Sequence, residues 1–142
     1  MILNYCIYGK MTQILETLFI LVDNAHDAIE EKRRFLDRQE NPEPFEPHIS
    51  IQLVQEENLS HIEITDNGIG IREEDRNKVF APYFTTKSSY NESSGSGIGL
   101  YEVSRFVNEH HRGRIWFTSE YMKGTTFNIE LPRHPAEGEA AV

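Results

Sequence analysis

The sequence predicts an α+β domain, a two-layer α/β sandwich in which a mixed, mainly antiparallel sheet is backed by three helices. Three observations point there. Apolar residues at 14, 15, 18, 19, 21, 22, 25, 28 and 29 recur at helical spacing and cover one broad face. Two pairs of short segments read as strands, the first pair joined by a short hairpin connection. Between the pairs lie two further helical stretches. At 142 residues the chain fits one domain with its own core, read as residues 1–132, followed by a disordered tail over 133–142.

Taken in order, a short strand is expected near 2–8, then a long helix over about 11–38. Asn41-Pro42-Glu43-Pro44-Phe45-Glu46-Pro47 breaks that helix, because proline lacks a donor and clashes with the preceding turn. The run Glu31-Lys32-Arg33-Arg34 reads as a solvated face of the helix. Strands near 48–55 and 60–65 follow, joined by Glu56-Glu57-Asn58 as a hairpin. Residues 72–80 read as a short helix, and 88–96, rich in Ser, Asn and Gly, as mobile until a ligand orders them. A helix starts near Gly99, where Leu100-Tyr101-Glu102-Val103-Ser104-Arg105-Phe106-Val107 places apolar residues at helical spacing. Strands near 113–119 and 124–131 close the sheet, and the adjacent Trp116 and Phe117 face opposite sides of it.

Two glycine clusters carry the chemistry: Asp66-Asn67-Gly68-Ile69-Gly70 and Gly95-Ser96-Gly97-Ile98-Gly99-Leu100, with the basic loop Phe84-Thr85-Thr86-Lys87 between them. Alternate glycines let backbone approach a flat or charged ligand where a Cβ would collide, an arrangement that suits a nucleotide. Asp66 ends the alternating run His61-Ile62-Glu63-Ile64-Thr65, so its carboxylate stands at the mouth of a strand and can accept from an exocyclic amine such as adenine N6. Taken alone, Asp-Asn-Gly also reads as a turn after a strand. The second cluster runs into a helix whose free N–H groups form an anion site. Neither a Walker lysine signature nor the strand-linked G-x-G-x-x-G of a dinucleotide fold is present. On the first helix, Asn24 offers an uncharged oxygen to a hard cation such as Mg²⁺, although an asparagine there also reads as a surface residue.

Five motifs in order, Asp23-Asn24-Ala25-His26-Asp27-Ala28, Asp66 to Gly70, Val79-Phe80-Ala81-Pro82-Tyr83-Phe84-Thr85-Thr86-Lys87, Gly95 to Leu100 and Gly124-Thr125-Thr126-Phe127, resemble the ATP-binding catalytic domain of bacterial sensor histidine kinases. They correspond to the N, first glycine, F, second glycine and third glycine boxes of the gyrase, chaperone, kinase and MutL ATPases, which share the Bergerat fold. The resemblance runs from about residue 12 to Pro132, and the F box is like that of the nitrogen-regulator kinases. It implies Mg²⁺-ATP as cofactor, with Asn24 as metal ligand and Asp66 as adenine reader. It implies Gly68 and Gly70 beside the base, Thr125 supporting the adenine, and Lys87 facing the phosphates, so that Asn24 and Lys87 serve catalysis. Gly95, Gly97 and Gly99 would form the ATP lid, and Asp27, Ile71, Phe80, Thr86, Ile98 and Leu100 complete the implied site.

The activity the resemblance implies is γ-phosphoryl donation to a histidine on a phosphoacceptor domain absent from this chain, with a response regulator downstream and a homodimeric full-length kinase. One position departs from the pattern. Ile20, one turn before Asn24, stands where these kinases carry a second asparagine and the hydrolysing branches a glutamate; it can neither bind metal nor act as a base, which argues against gyrase-like hydrolysis. It leaves open a nucleotide-binding regulatory module without phosphotransfer, and an anti-sigma-type serine kinase shares the same boxes. His26, His48, His61, His110 and His111 read as structural or surface residues, not as phosphoacceptors. A net charge of −9 argues against nucleic acid as a partner, since phosphate backbones need clustered Lys and Arg. The lone Cys6 excludes an internal disulfide, and the absence of a long apolar run fits a cytoplasmic domain without membrane contact, any anchor lying elsewhere in the full-length protein.

Overall fold

The computed structural model describes residues 11–84 and 99–132. The strand expected at 2–8, the stretch 88–96 and the tail 133–142 lie outside the described residues.

The first helix, α1, spans Met11–Asp37. Its buried row is Thr17, Leu21, Ala25 and Ile29, four residues apart and so stacked in one line along the helix. The broad apolar face expected from the sequence is narrower than that. Leu15 and Phe19 are 58% and 71% exposed, because a two-residue offset rotates a side chain by about 200° and carries both to the side opposite Thr17 and Leu21.

Four strands form one sheet: β1 (Ile49–Gln55), β2 (Leu59–Asp66), β3 (Arg114–Glu120) and β4 (Gly124–Pro132), in the order β1-β2-β4-β3. Every pairing among these strands is antiparallel, so they supply the antiparallel part of the expected sheet. Burial alternates along β2, where Ser60, Ile62, Ile64 and Asp66 face the helices. Opposite them in register lie Leu131, Ile129, Phe127 and Thr125 of β4, likewise buried. Phe117 packs on this face with Phe80 and Phe127, ring centroids 5.9 and 5.7 Å away, whereas Trp116 lies on the outer face against His61 and Arg114. The two aromatics therefore split across the sheet as the alternation requires.

The helical layer is completed by a short 3-10 helix, Glu73–Lys78, and by α2, Gly99–Arg105, which widens into a π turn over Phe106–His110. In that turn the His111 N–H reaches Phe106 O at 3.1 Å, a five-residue step in place of the expected α-helical four. Val103 and Val107 of this segment close the core with Leu21, Val79 and Ile115. His111 is buried against the Phe106 ring and His61 shares a hydrogen bond of 3.0 Å with Asn128, which fits the structural role read for both.

Candidate functional site

β2 and β4 are central neighbours, and their register sets Asp66 directly opposite Thr125 at the end of the sheet nearest the first glycine cluster. Both side chains are buried on the helix-facing side. Asp66 Oδ1 accepts the Gly68 N–H at 2.8 Å, and the backbone of Thr125 also bonds the carboxylate. Burial nevertheless dominates: it pushes the carboxyl up to about 6, against the lowering pull of those two amides and of the Lys32 ammonium. A buried acid near the edge of ionisation, bonded by backbone amides, is a candidate ligand acceptor.

The glycines of the first cluster are required by the fold itself. A Cβ on Gly68 would lie 2.5 Å from the Ala28 carbonyl carbon and 2.7 Å from Ile29 N, so the loop presses directly on the α1 backbone, where Ala28 O accepts the Ile69 N–H at 2.9 Å. Gly70 has φ +76°, and a Cβ there would strike the Glu120 carbonyl in the β3–β4 hairpin. That hairpin is bonded back to the loop, Met122 N–H to Ile69 O at 2.6 Å.

Ala28 also fixes where the loop meets α1. Counting back by fours from it gives Asn24 and Ile20 on the same side of the helix. Ile20 packs beneath the start of α2, since a Cβ on Gly99 would come within 3.1 Å of Ile20 Cγ2. Asn24 is thus bracketed by Gly68 at Ala28 and Gly99 at Ile20, one turn from each, along a row of about 12 Å at 1.5 Å rise per residue. Its side chain is half-buried, and no described residue bonds its carboxamide. Among the described residues no group of three or more His, Cys, Asp or Glu could hold a metal alone. A single carboxamide oxygen fits Mg²⁺ only as one ligand beside phosphate oxygens and water, the usual donor set for that ion in nucleotide sites.

The other implied residues divide three ways. Asp27 stands next to this row, its Oδ1 3.7 Å from His26 Nδ1. Ile71, Leu100 and Phe80 are partly buried against the core, and Phe80 stacks edge-on to Phe127 with centroids 6.2 Å apart. Thr86, Lys87, Gly95, Gly97 and Ile98 lie outside the described residues.

Three residues not singled out from the sequence support the site. Asn67 ties the proline-rich linker to it, accepting the His48 N–H and donating to Glu46 O, each at 2.8 Å. Lys32 lies in the run that reads as a solvated face, at the end of the helix that in kinases of this type can lie near the site. Its Nζ donates to Asn67 O at 3.0 Å and sits 4.7 Å over the Phe45 ring, because its long stem folds back onto the loop. Ser119 of β3 links Ile71 to Thr125 through its hydroxyl. Of the three, Ser119 carried no sequence signal, whereas Asn67 lies inside the first glycine cluster.

Residues 9–135 match the family described as histidine kinase-, DNA gyrase B- and HSP90-like ATPase. The chain belongs to this ATPase family. Within it, this ATPase domain is similar to sporulation kinase B of Bacillus subtilis, 32% identical over 126 residues that cover 89% of the chain and 25% of that protein. It is also similar to a probable C4-dicarboxylate sensor kinase of Halalkalibacterium halodurans, 38% identical over 113 residues covering 80% of the chain and 18% of that protein. The ATPase domain therefore spans a quarter or less of the length of these two curated relatives. Its fold resembles the catalytic domain of the histidine kinase ThkA, with a TM-score of 0.67, 28% identity, and coverage of 89% of this chain and 71% of that one. The chain is thus an ATP-binding catalytic domain of the sensor histidine kinase type.

Proposed function

We propose that this ATPase domain binds Mg²⁺-ATP along the row from Asp66 to Gly99 and donates the γ-phosphoryl group to a histidine on a separate phosphoacceptor domain. The observation that carries the reading is the buried Asp66 carboxylate, poised near 6 and aligned through Ala28 with Asn24 and Gly99. Asp66 and Thr125 hold the base, and Gly68 and Gly70 flank it. Asn24 supplies one oxygen to the metal, which when bound offsets charge on the phosphate oxygens. Lys87, Gly95, Gly97 and Gly99 belong to the phosphate end, and Asp27, Ile71, Phe80, Thr86, Ile98 and Leu100 complete the site. In the transfer an imidazole nitrogen forms the N–P bond as the bridging O–Pγ bond breaks and ADP leaves, and the phosphoimidazole then sheds its ring proton. This chain's residues contribute positioning and charge stabilisation to that step, not a base. A response regulator is the proposed downstream acceptor, the full-length kinase is proposed to be homodimeric, and the domain to work in the cytoplasm. No helix among the described residues is long and apolar enough to cross a membrane.

The experiment is transfer of γ-labelled phosphate from ATP to a supplied phosphoacceptor hairpin. Acid-labile label on the hairpin is the expected result. Acid-stable label would instead identify a serine kinase. One observation favours a second reading: Ile20 fills the position one turn before Asn24 with a packed hydrocarbon, in contact with Gly99. ATP binding without any transfer would establish the nucleotide-controlled regulatory module.

A further inference from the structure

Ser119 stands where three elements meet. Its Oγ accepts the Ile71 N–H at 2.9 Å, lies 3.0 Å from Gly124 O and 2.8 Å from Thr125 Oγ1. A serine hydroxyl has one proton and two lone pairs. The Ile71 amide occupies one lone pair. A carbonyl can only accept, so the Ser119 proton goes to Gly124 O, and the second lone pair receives the proton of Thr125. No other allocation satisfies all three contacts. Thr125 has then committed its only proton to Ser119 and can meet a ligand only as an acceptor. Asp66, opposite Thr125 in register and on the same face, is an acceptor as well when ionised. The backbone of Ser119 is held from its other side, where Arg76 Nη1 donates to its carbonyl at 2.9 Å while the guanidinium covers the Phe117 ring.

We infer that Ser119 is a positioning residue for base selection: by fixing the Thr125 hydroxyl as an acceptor, it makes the base end of the site demand hydrogen-bond donors, so that a 6-amino purine is favoured over a 6-oxo purine. The inference rests on the nucleotide reading of the same site. Without Ser119, the Thr125 proton is free to turn toward the ligand and meet a 6-oxo group.

Calorimetry with MgATP and MgITP on the 142-residue chain tests this, comparing wild type with Ser119→Ala, Ser119→Thr and Thr125→Val. Wild type should favour ATP. Ser119→Ala should narrow the ATP-to-ITP affinity ratio by roughly tenfold, the worth of about one hydrogen bond, and Ser119→Thr should keep it. Thr125→Val should narrow the ratio too, and adding Ser119→Ala to it should change nothing more. A merely structural serine would weaken both nucleotides alike, and an unchanged ratio in Ser119→Ala overturns the inference while leaving ATP binding intact. If the alanine variant does not fold, Thr125→Val alone carries the test, because it removes the hydroxyl that Ser119 orients, and an unchanged ratio there is equally decisive. Wild type that binds neither nucleotide overturns the ATP reading, and this inference with it.

Discussion

In the proposed site, Asp66 would couple ligand recognition to pH. Its folded value of about 6 lies above the ordinary 3.8, so the folded state holds a proton that the unfolded chain releases. The associated stabilisation is complete below about 3.8 and is lost as pH rises through about 6, a difference of roughly 3 kcal/mol at 1.36 kcal/mol per unit. Urea unfolding of wild type and Asp66→Asn at pH 7.5 and 4.5 should therefore show the wild type gaining stability relative to the variant at the lower pH. ATP affinity should move the other way. It should fall in wild type as pH drops below about 6, where the acceptor becomes protonated, and stay flat in Asp66→Asn, as calorimetry across that range would reveal. Asp66 and Asn24 were legible as site candidates because each sits in a compact local motif. Ser119 and Lys32 were not, since their partners Ile71 and Asn67 lie 48 and 35 positions away in sequence and only the folded chain joins them.

At the level of elements, two glycine contacts set how α1 meets the rest of the domain. Gly68→Ala would press a methyl group onto α1 backbone that cannot yield, and should cost more than about 2 kcal/mol in chemical unfolding even without nucleotide. If the glycine served only the ligand, the apo protein would be indifferent to that change. Gly99→Ala is a subtler case, since alanine is the better helix former by about 1 kcal/mol but its Cβ would come within 3.1 Å of Ile20 Cγ2. Isoleucine is stiff at χ1 and gives little ground. The substitution should destabilise the wild type and become neutral or stabilising in an Ile20→Ala background, a non-additivity that a double-mutant cycle by thermal unfolding would measure. The four described strands were legible from the sequence, and the β1–β2 hairpin from its connecting residues. The exposure of Leu15 and Phe19 was not, because apolar spacing marks a helix without saying which stripe the sheet will cover. Nor does the sequence mark the π turn, where Phe106 and His111 settle against each other with ring centroids 4.1 Å apart.

For the molecule as a whole, a chain of net charge −9 must accept a polyanion, so metal and nucleotide should act on stability together. Ligand that binds only the folded state at a hundred times its dissociation constant adds about 2.7 kcal/mol, and thermal unfolding with ATP should rise accordingly when Mg²⁺ is present. Asn24→Ala should remove the Mg²⁺-dependent part of that rise and leave the unliganded midpoint nearly unchanged, since its half-buried carboxamide bonds no described residue. The hairpin Tyr121–Lys123 bears on a different use of the domain. A short connection between two strands is ordinarily the first place to splice a tag, a fluorophore or a sensor loop. Here Met122 is stitched to Ile69, Gly70 presses on Glu120, and Arg72 bonds the Tyr121 hydroxyl, so the tip is built into the loop that carries the first glycine cluster. A protein engineer seeking a harmless insertion point should look instead to the β1–β2 turn at Glu56–Asn58, at the opposite end of β2 from Asp66.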